Sequence, residues 1–275
     1  SPVNIVTHCE DTPTIIKNEK AIIEEFGTDI DASFHPKIRN AESCLKSSQL
    51  AYDLATKHGS NLHILHLTTA DEMKLLTEGD ITSKKITGEV CVHHLFFSEG
   101  AYKSLGNQIK CNPSIKTEQD RLALIDAVQR DKIDIIATDH APHTWEEKQE
   151  AYLKAPSGMP LNQHFLLVLL DFYAQGIFSL EQIVQKTSHN IAERFQIKDR
   201  GYLREGSFAD LAVVDLSDQT LVTKEDILYY CKWSPFLDHT FSGAVKYTII
   251  NGKVVFQDGK FLKDLPLGKR IEFNR

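Results

Sequence analysis

The first two-thirds of the chain alternate short apolar runs with amphipathic stretches. Residues 3–8 (VNIVTH) read as a strand. Helical periodicity follows: Thr12 can cap it, Pro13 suits the first helical position and Gly27 suits the exit. A longer helix is predicted over 40–59, with Asn40 as its cap and Gly59 just past its end. Residues 61–69 (NLHILHLTT) form the next strand, and Thr-Ala-Asp-Glu at 69–72 has the spacing of a capping box that opens a short helix. A third strand is predicted over 85–95, a helix over 117–130 and a fourth strand over 133–140. Past 155–160 (APSGMP) the pattern is helical, with Ser179 and Gln182 as a capping pair. From about Gly201 the texture changes. Alternating segments with Asn-Gly and Asp-Gly turns at 251–252 and 258–259 read as β-hairpins.

Repeated strand–helix units predict an α/β body with a parallel sheet covered by helices, over residues 1–200, and a small β-rich segment over 201–275. In such sheets ligands lie beyond the carboxyl ends of the strands. Those ends carry the chemistry here: His8-Cys9-Glu10-Asp11 after the first strand, His66 after the second, His93-His94 after the third, Asp139-His140 after the fourth. His8, His66 and Asp139 together offer two imidazole nitrogens and a carboxylate, a set that suits Zn²⁺ or a similar divalent ion. A carboxylate beside such an ion can carry a proton to or from a reacting group.

Composition narrows the partners. The 275 residues include 31 basic and 38 acidic side chains, for a net charge of −7, and no basic run marks a nucleic-acid surface. The longest apolar run, 165–170, falls far short of the ~20 residues that span a bilayer. Cys9, Cys44, Cys91, Cys111 and Cys231 are scattered without zinc-site spacing, as expected of reduced, buried thiols in a cytoplasmic protein.

Six motifs occur in order: THCED (7–11), HILHLTTA (63–70), VHHL (92–95), CNPSIK (111–116), IATDHAPH (136–143) and APSG (155–158). With GYLREGSFADLAVVDL (201–216) and WSPF (233–236) they resemble the dihydroorotases of the amidohydrolase superfamily over nearly the whole chain. The resemblance implies the second half of a metal-dependent (β/α)₈ barrel, from its fifth strand onward, with a binuclear zinc centre. It implies that His8 and His66 are metal ligands, and that Asp139 touches metal and acts as general acid/base. It also implies that Asn112 and His143 bind substrate and that Pro156 and Gly158 lie in the loop that meets the pyrimidine ring. The reaction implied is interconversion of dihydroorotate and N-carbamoyl-L-aspartate in pyrimidine synthesis.

Departures from the family pattern set further expectations. The His-x-His pair followed by Arg of the family's first strand has no counterpart here. The chain is therefore expected to need the N-terminal half of the barrel as a partner and to be inactive alone; a homodimer is a further expected assembly. Ser114 and Lys116 stand where Pro and Arg are usual, and Lys cannot fork onto a carboxylate as Arg does. Hydantoinase-like or allantoinase-like amidase activity, and a non-catalytic subunit, are the competing readings. His93, His94 and His140 read as supporting residues, His35 and Arg39 as ordering a loop, and Cys9 and Cys111 as packing.

Overall fold

A computed structural model of the chain describes residues 3–262 and 268–274. Strands β1 (Ile5–Thr7), β2 (Leu62–Ile64), β3 (Ile86–Cys91) and β4 (Ile135–Ala137) form one sheet in that order, every neighbouring pair parallel. Ile5 pairs with Leu62, Leu62 with Ile86 and Glu89 with Ile135, so all four strands deliver their carboxyl ends to the same rim. Parallel neighbours require long crossovers; α-helices fill the first and third, and two short 3-10 turns the second. Helices α1 (Thr12–Phe26) and α2 (Ala41–His58) lie between β1 and β2; α3 (Val92–Phe96) and α4 (Glu118–Gln129) lie between β3 and β4.

Local chemistry explains the helix ends. Asp11, one residue before the expected cap, accepts the Thr14 N–H at 3.0 Å and starts α1. Asn40 accepts the Ser43 N–H at 3.0 Å to start α2, and Gly59, at φ 63°, ends it in the left-handed conformation that costs glycine least. Thr117 and Asp120 close a reciprocal capping box on α4. Along α2 the buried Cys44, Ser48 and Ala55 share one face. Ser48 Oγ donates to the buried carboxylate of Glu72 at 2.6 Å, and Glu72 Oε2 also accepts the N–H groups of Thr68 and Thr69 at 3.1 Å each. That network fixes the segment just after His66. Glycine at 88 is a packing requirement: a Cβ there would lie 2.4 Å from Leu67 Cδ1 and 2.9 Å from Leu76 Cδ1.

The third strand ends earlier than the pattern predicts. β3 stops at Cys91 and the chain turns directly into α3, which places His93 and His94 on a buried helical turn.

The chain divides into two compact units, residues 1–163 with 227–235 and residues 164–226 with 236–275. This division falls at a different point from the change in sequence texture near 200. The reason is visible in the second unit, where helix α5 (Phe165–Ala174) packs on strand β6 (Thr240–Ile250). Asp171 on α5 accepts the Ser242 N–H at 2.8 Å and pairs with His239 at 3.1 Å. β6 pairs antiparallel with β5 (Leu211–Leu221) and β7 (Lys253–Gln257), and β7 with β8 (Lys260–Phe261). The two predicted hairpin turns are present, with Asn251, Gly252, Asp258 and Gly259 all at positive φ. Residues 227–235 join the first unit through bonds such as Leu228 N–H to Gln163 Oε1, at 2.8 Å.

Gly88→Ala is expected to destabilise the intact protein by about 1–3 kcal/mol through overpacking against Leu67 and Leu76. Denaturant unfolding checks this; an unchanged midpoint would mean that β3 has slack that this packing does not show.

Candidate active site

The rim of the parallel sheet is built by short polar segments that follow each strand. His8 leaves β1 and His66 follows β2, and the two rings meet edge to face with His8 Nδ1 and His66 Nε2 3.0 Å apart. Glu10 Oε2 takes the other nitrogen of His8 at 3.1 Å and also pairs with Arg39. Burial would push the Glu10 carboxyl up, but the hydrogen bond from His8 and the charges of Arg39 and Lys116 outweigh it and hold the group below its ordinary value. Glu10 is thus an anion that orients His8, while its neighbour Asp11 is spent on the α1 cap.

His66 is buried, sits at φ 36°, and its Nδ1 has no partner among the described residues. Burial and the adjacent His8 both depress its protonation, whereas the charge of Asp139 works the other way. Asp139 also has positive φ, 48°. Two non-glycine residues in the left-handed region at the exits of β2 and β4 are uncommon and mark constrained backbone at the rim. The structure therefore brings His8 and His66 into contact and sets Asp139 close enough to act electrostatically on His66.

The donor set fits a borderline divalent ion. His8 presents Nδ1 with its Nε2 held by a carboxylate, the arrangement that fixes tautomer and raises ligand basicity. His66 Nε2 faces the same point, and Asp139 follows β4 at the same rim with its charge reaching His66, although among the described residues its carboxylate is not gathered with the two rings into one three-ligand cluster.

The segments holding the other expected residues are tied together by buried lysines. Lys148 is buried and donates to three carbonyls: Gly158 at 2.8 Å, Pro156 at 2.9 Å and Lys110 at 3.3 Å. Lys110 Nζ donates to the carbonyls of Tyr152 and Ala155 at 2.6 and 2.5 Å, and Gly158 N–H returns to the Lys110 carbonyl at 2.8 Å. His143 Nε2 donates to the Ser157 carbonyl at 3.2 Å. The loop bearing Pro156 and Gly158 is thereby clamped to the strand of backbone that leads into Asn112. Only glycine fits at 158, where φ is 134° and a Cβ would lie 2.5 Å from the Ala141 carbonyl oxygen. Asn112 Oδ1 is buried and has no partner among the described residues.

Several residues do more than the pattern suggests. His35 is buried; it accepts from the Tyr152 hydroxyl at 2.8 Å and donates to the Cys111 carbonyl at 2.8 Å, and burial pushes its pKa down to about 3. Ser114 Oγ donates to the Arg39 carbonyl at 2.9 Å, and Lys116 Nζ turns back onto Ser114. His140 turns away from His8 and His66, its Nδ1 accepting the Leu161 and Asn162 N–H groups at 2.9 and 3.3 Å. Trp233 Nε1 donates to the His143 carbonyl at 2.7 Å, the one side-chain anchor in WSPF with a visible bearing on the rim. Lys110 and Lys148 went unnoticed in the sequence, where nothing separates a buried lysine from a solvated one.

Residues 2–255 match the Amidohydrolase family. The chain belongs to that family. Among curated relatives, a dihydroorotase of Anoxybacillus flavithermus is 34% identical over 261 residues, covering 93% of this chain and 59% of that protein. A dihydroorotase of Methanothermobacter thermautotrophicus is 30% identical over 263 residues, covering 96% and 59%. This amidohydrolase-family chain thus spans 59% of the length of these relatives. Among solved structures, the L-hydantoinase (dihydropyrimidinase) from Arthrobacter aurescens aligns with a TM-score of 0.88 at 24% identity, over 98% of this chain and 60% of that one. A D-hydantoinase from Thermus sp. aligns at 0.85 and 19%, over 95% and 58%. These likenesses show the amidohydrolase α/β fold. Among the described residues no helix is long and apolar enough to cross a membrane.

Burial lowers both Lys110 and Lys148 to about 8. An unfolded lysine titrates near about 10.4, so the cost of burying each ammonium is fully present below pH 8 and is relieved as pH rises from there to about 10.4. Side-chain NMR is expected to find both groups titrating near 8; ordinary lysine values would show that neither is desolvated. Lys148→Met is expected to speed amide exchange at Gly158, and unchanged protection would remove the clamp from the account.

Proposed function

We propose that this chain is the second half of a dihydroorotase-type (β/α)₈ barrel with its β-rich segment, and that it interconverts dihydroorotate and N-carbamoyl-L-aspartate together with the first half. The observation that carries this is the His8 Nδ1–His66 Nε2 approach at 3.0 Å, with Glu10 holding the far nitrogen of His8 and the charge of Asp139 reaching His66. The dihydroorotase names of the relatives at 30–34% identity support the same substrate class.

His8, His66 and Asp139 would hold zinc. Bound there, Zn²⁺ would polarise the ring amide carbonyl and bring the pKa of a water molecule to about 7. The chain's own groups do the rest. In ring opening, Asp139 accepts the proton of the attacking water. It returns that proton to the ring nitrogen as the carbon–nitrogen bond breaks, and the new carboxyl group gives up the water's second proton to solvent, leaving a carboxylate and a ureido group. Ring closure reverses each step. Glu10 keeps His8 in the tautomer that presents Nδ1. Asn112 supplies an amide donor for the substrate carboxylate, and its unpartnered Oδ1 is free to accept a ring N–H. His143, its Nε2 held on the Ser157 carbonyl, donates to the carboxylate from Nδ1 when the ring is protonated. The lysine-clamped loop at Pro156 and Gly158 fixes the wall on which the ring rests. The carboxylate is what separates this reading from a hydantoinase, whose ring carries none.

In the intact protein Asp139→Asn is expected to lower kcat for dihydroorotate opening by about 10²–10⁴-fold with little change in KM. Retained turnover would remove Asp139 from the proton path. Asn112→Ala is expected to raise KM for the acidic ring and to leave any activity on neutral hydantoins unaffected. Equal losses on both, or a wild-type preference for the neutral ring, would favour the hydantoinase reading.

A further inference from the structure

β3 ends at Cys91, and the first turn of α3 carries His93 and His94, so three ligand-type side chains leave one strand end within four positions. One ligand atom from each lies within 4.8 Å of the others, and all three side chains are buried. The hydrogen-bond pattern around them is incomplete in a specific way. His94 donates its Nε2–H to the Pro113 carbonyl at 3.1 Å, which leaves Nδ1 as a bare lone pair. That Nδ1 and both ring nitrogens of His93 are buried without a partner among the described residues. Burial also keeps both rings neutral: His93 is lowered to about 3 and His94 well below its ordinary value. A second thiol adjoins the cluster, with Cys111 Sγ 3.7 Å from His94 Nε2 and near enough to Cys91 to act on its titration.

Buried polar atoms are almost always satisfied, and three orphaned imidazole nitrogens around a thiol call for an occupant. All three side chains are buried, so an occupant that reaches these nitrogens has to be small. A backbone carbonyl on the far nitrogen of an imidazole is the arrangement that orients a metal-bound histidine. We propose that Cys91, His93 and His94 form a second cation site for a thiophilic d¹⁰ ion of the Zn²⁺ class. One thiolate and two imidazoles suit that class and exclude Mg²⁺ and Ca²⁺, which take oxygen. Binding forms a metal–sulfur bond and releases the Cys91 thiol proton to solvent; Cys111 stays outside the ligand set, its Sγ donating to the Pro113 carbonyl at 3.2 Å. The thiolate charge offsets part of the ion's charge, which matters because His66 lies close enough to disfavour protonation of His93. All three side chains are buried, so the site is structural and any fourth position goes to a water molecule. Its role is to fix the end of β3 and, through the His94 Nε2–H bond to the Pro113 carbonyl, the segment that bears Asn112.

The test exploits sulfur, because His8, His66 and Asp139 offer none. The intact protein is stripped of metal and titrated with Co²⁺. The proposal expects a near-ultraviolet thiolate-to-Co²⁺ charge-transfer absorption that is kept in His8→Ala and lost in Cys91→Ser. No such absorption at saturating Co²⁺ overturns it, as does absorption undiminished in Cys91→Ser, which would belong to another thiol. Should Cys91→Ser not fold, zinc-edge X-ray absorption on the wild-type protein decides. A sulfur shell supports the site, and nitrogen and oxygen scatterers alone overturn it. Neither readout depends on dihydroorotate turnover, so the two proposals fail separately.

Discussion

Two imidazole nitrogens 3.0 Å apart cannot both present lone pairs to each other; a proton or a cation has to lie between them. Everything at the rim is arranged around that requirement. With Glu10 accepting from His8 Nε2, the bare atom of His8 is Nδ1, and the His66 Nε2–H fills the gap while His66 Nδ1 stays unpartnered. An ion that binds here takes the place of that proton, so its affinity is tied to pH from the outset. The approach itself comes from the register of β1 on β2, which ends both strands level, and from the left-handed backbone at His66.

From that pair, a chain of contacts runs to the segment that bears Asn112. Glu10 holds Arg39, the Arg39 carbonyl accepts from Ser114, and His35 bridges Tyr152 to the Cys111 carbonyl. The residues that would meet metal and those that would meet substrate are therefore set by one network. A substitution at Arg39 or His35, which touches neither, is felt at both ends. His35 stays neutral because burial forbids its charge, so this bridge does not switch within the physiological pH range.

Much of this was legible in the sequence, and the remainder has a physical reason for being hidden. The cap at Asn40, the Ser179–Gln182 capping pair, the exit at Gly59 and the turns at Asn251-Gly252 and Asp258-Gly259 are local chemistry, and local patterns report them faithfully. The meeting of His8 and His66, and the exit of Asp139 at the same rim, follow once the sheet is parallel, because strand ends then share an edge. The end of β3 was misplaced because Val92, Leu95 and Phe96 are as apolar as a strand, and tertiary packing alone decides that they turn. Lys148 and Lys110 were missed because their partners are main-chain carbonyls, which every sequence has. The boundary between units depends on where α5 docks, and an apolar helix gives no sign of which sheet it will cover.

The Lys148 clamp has an evolutionary corollary. Its ammonium grips only peptide oxygens, so it is indifferent to which side chains the loop displays. Apart from the glycine that no other residue can replace, the loop's side chains can be rewritten one at a time while its main chain stays put. A chain built this way varies what the loop shows without moving the residues on either side of it.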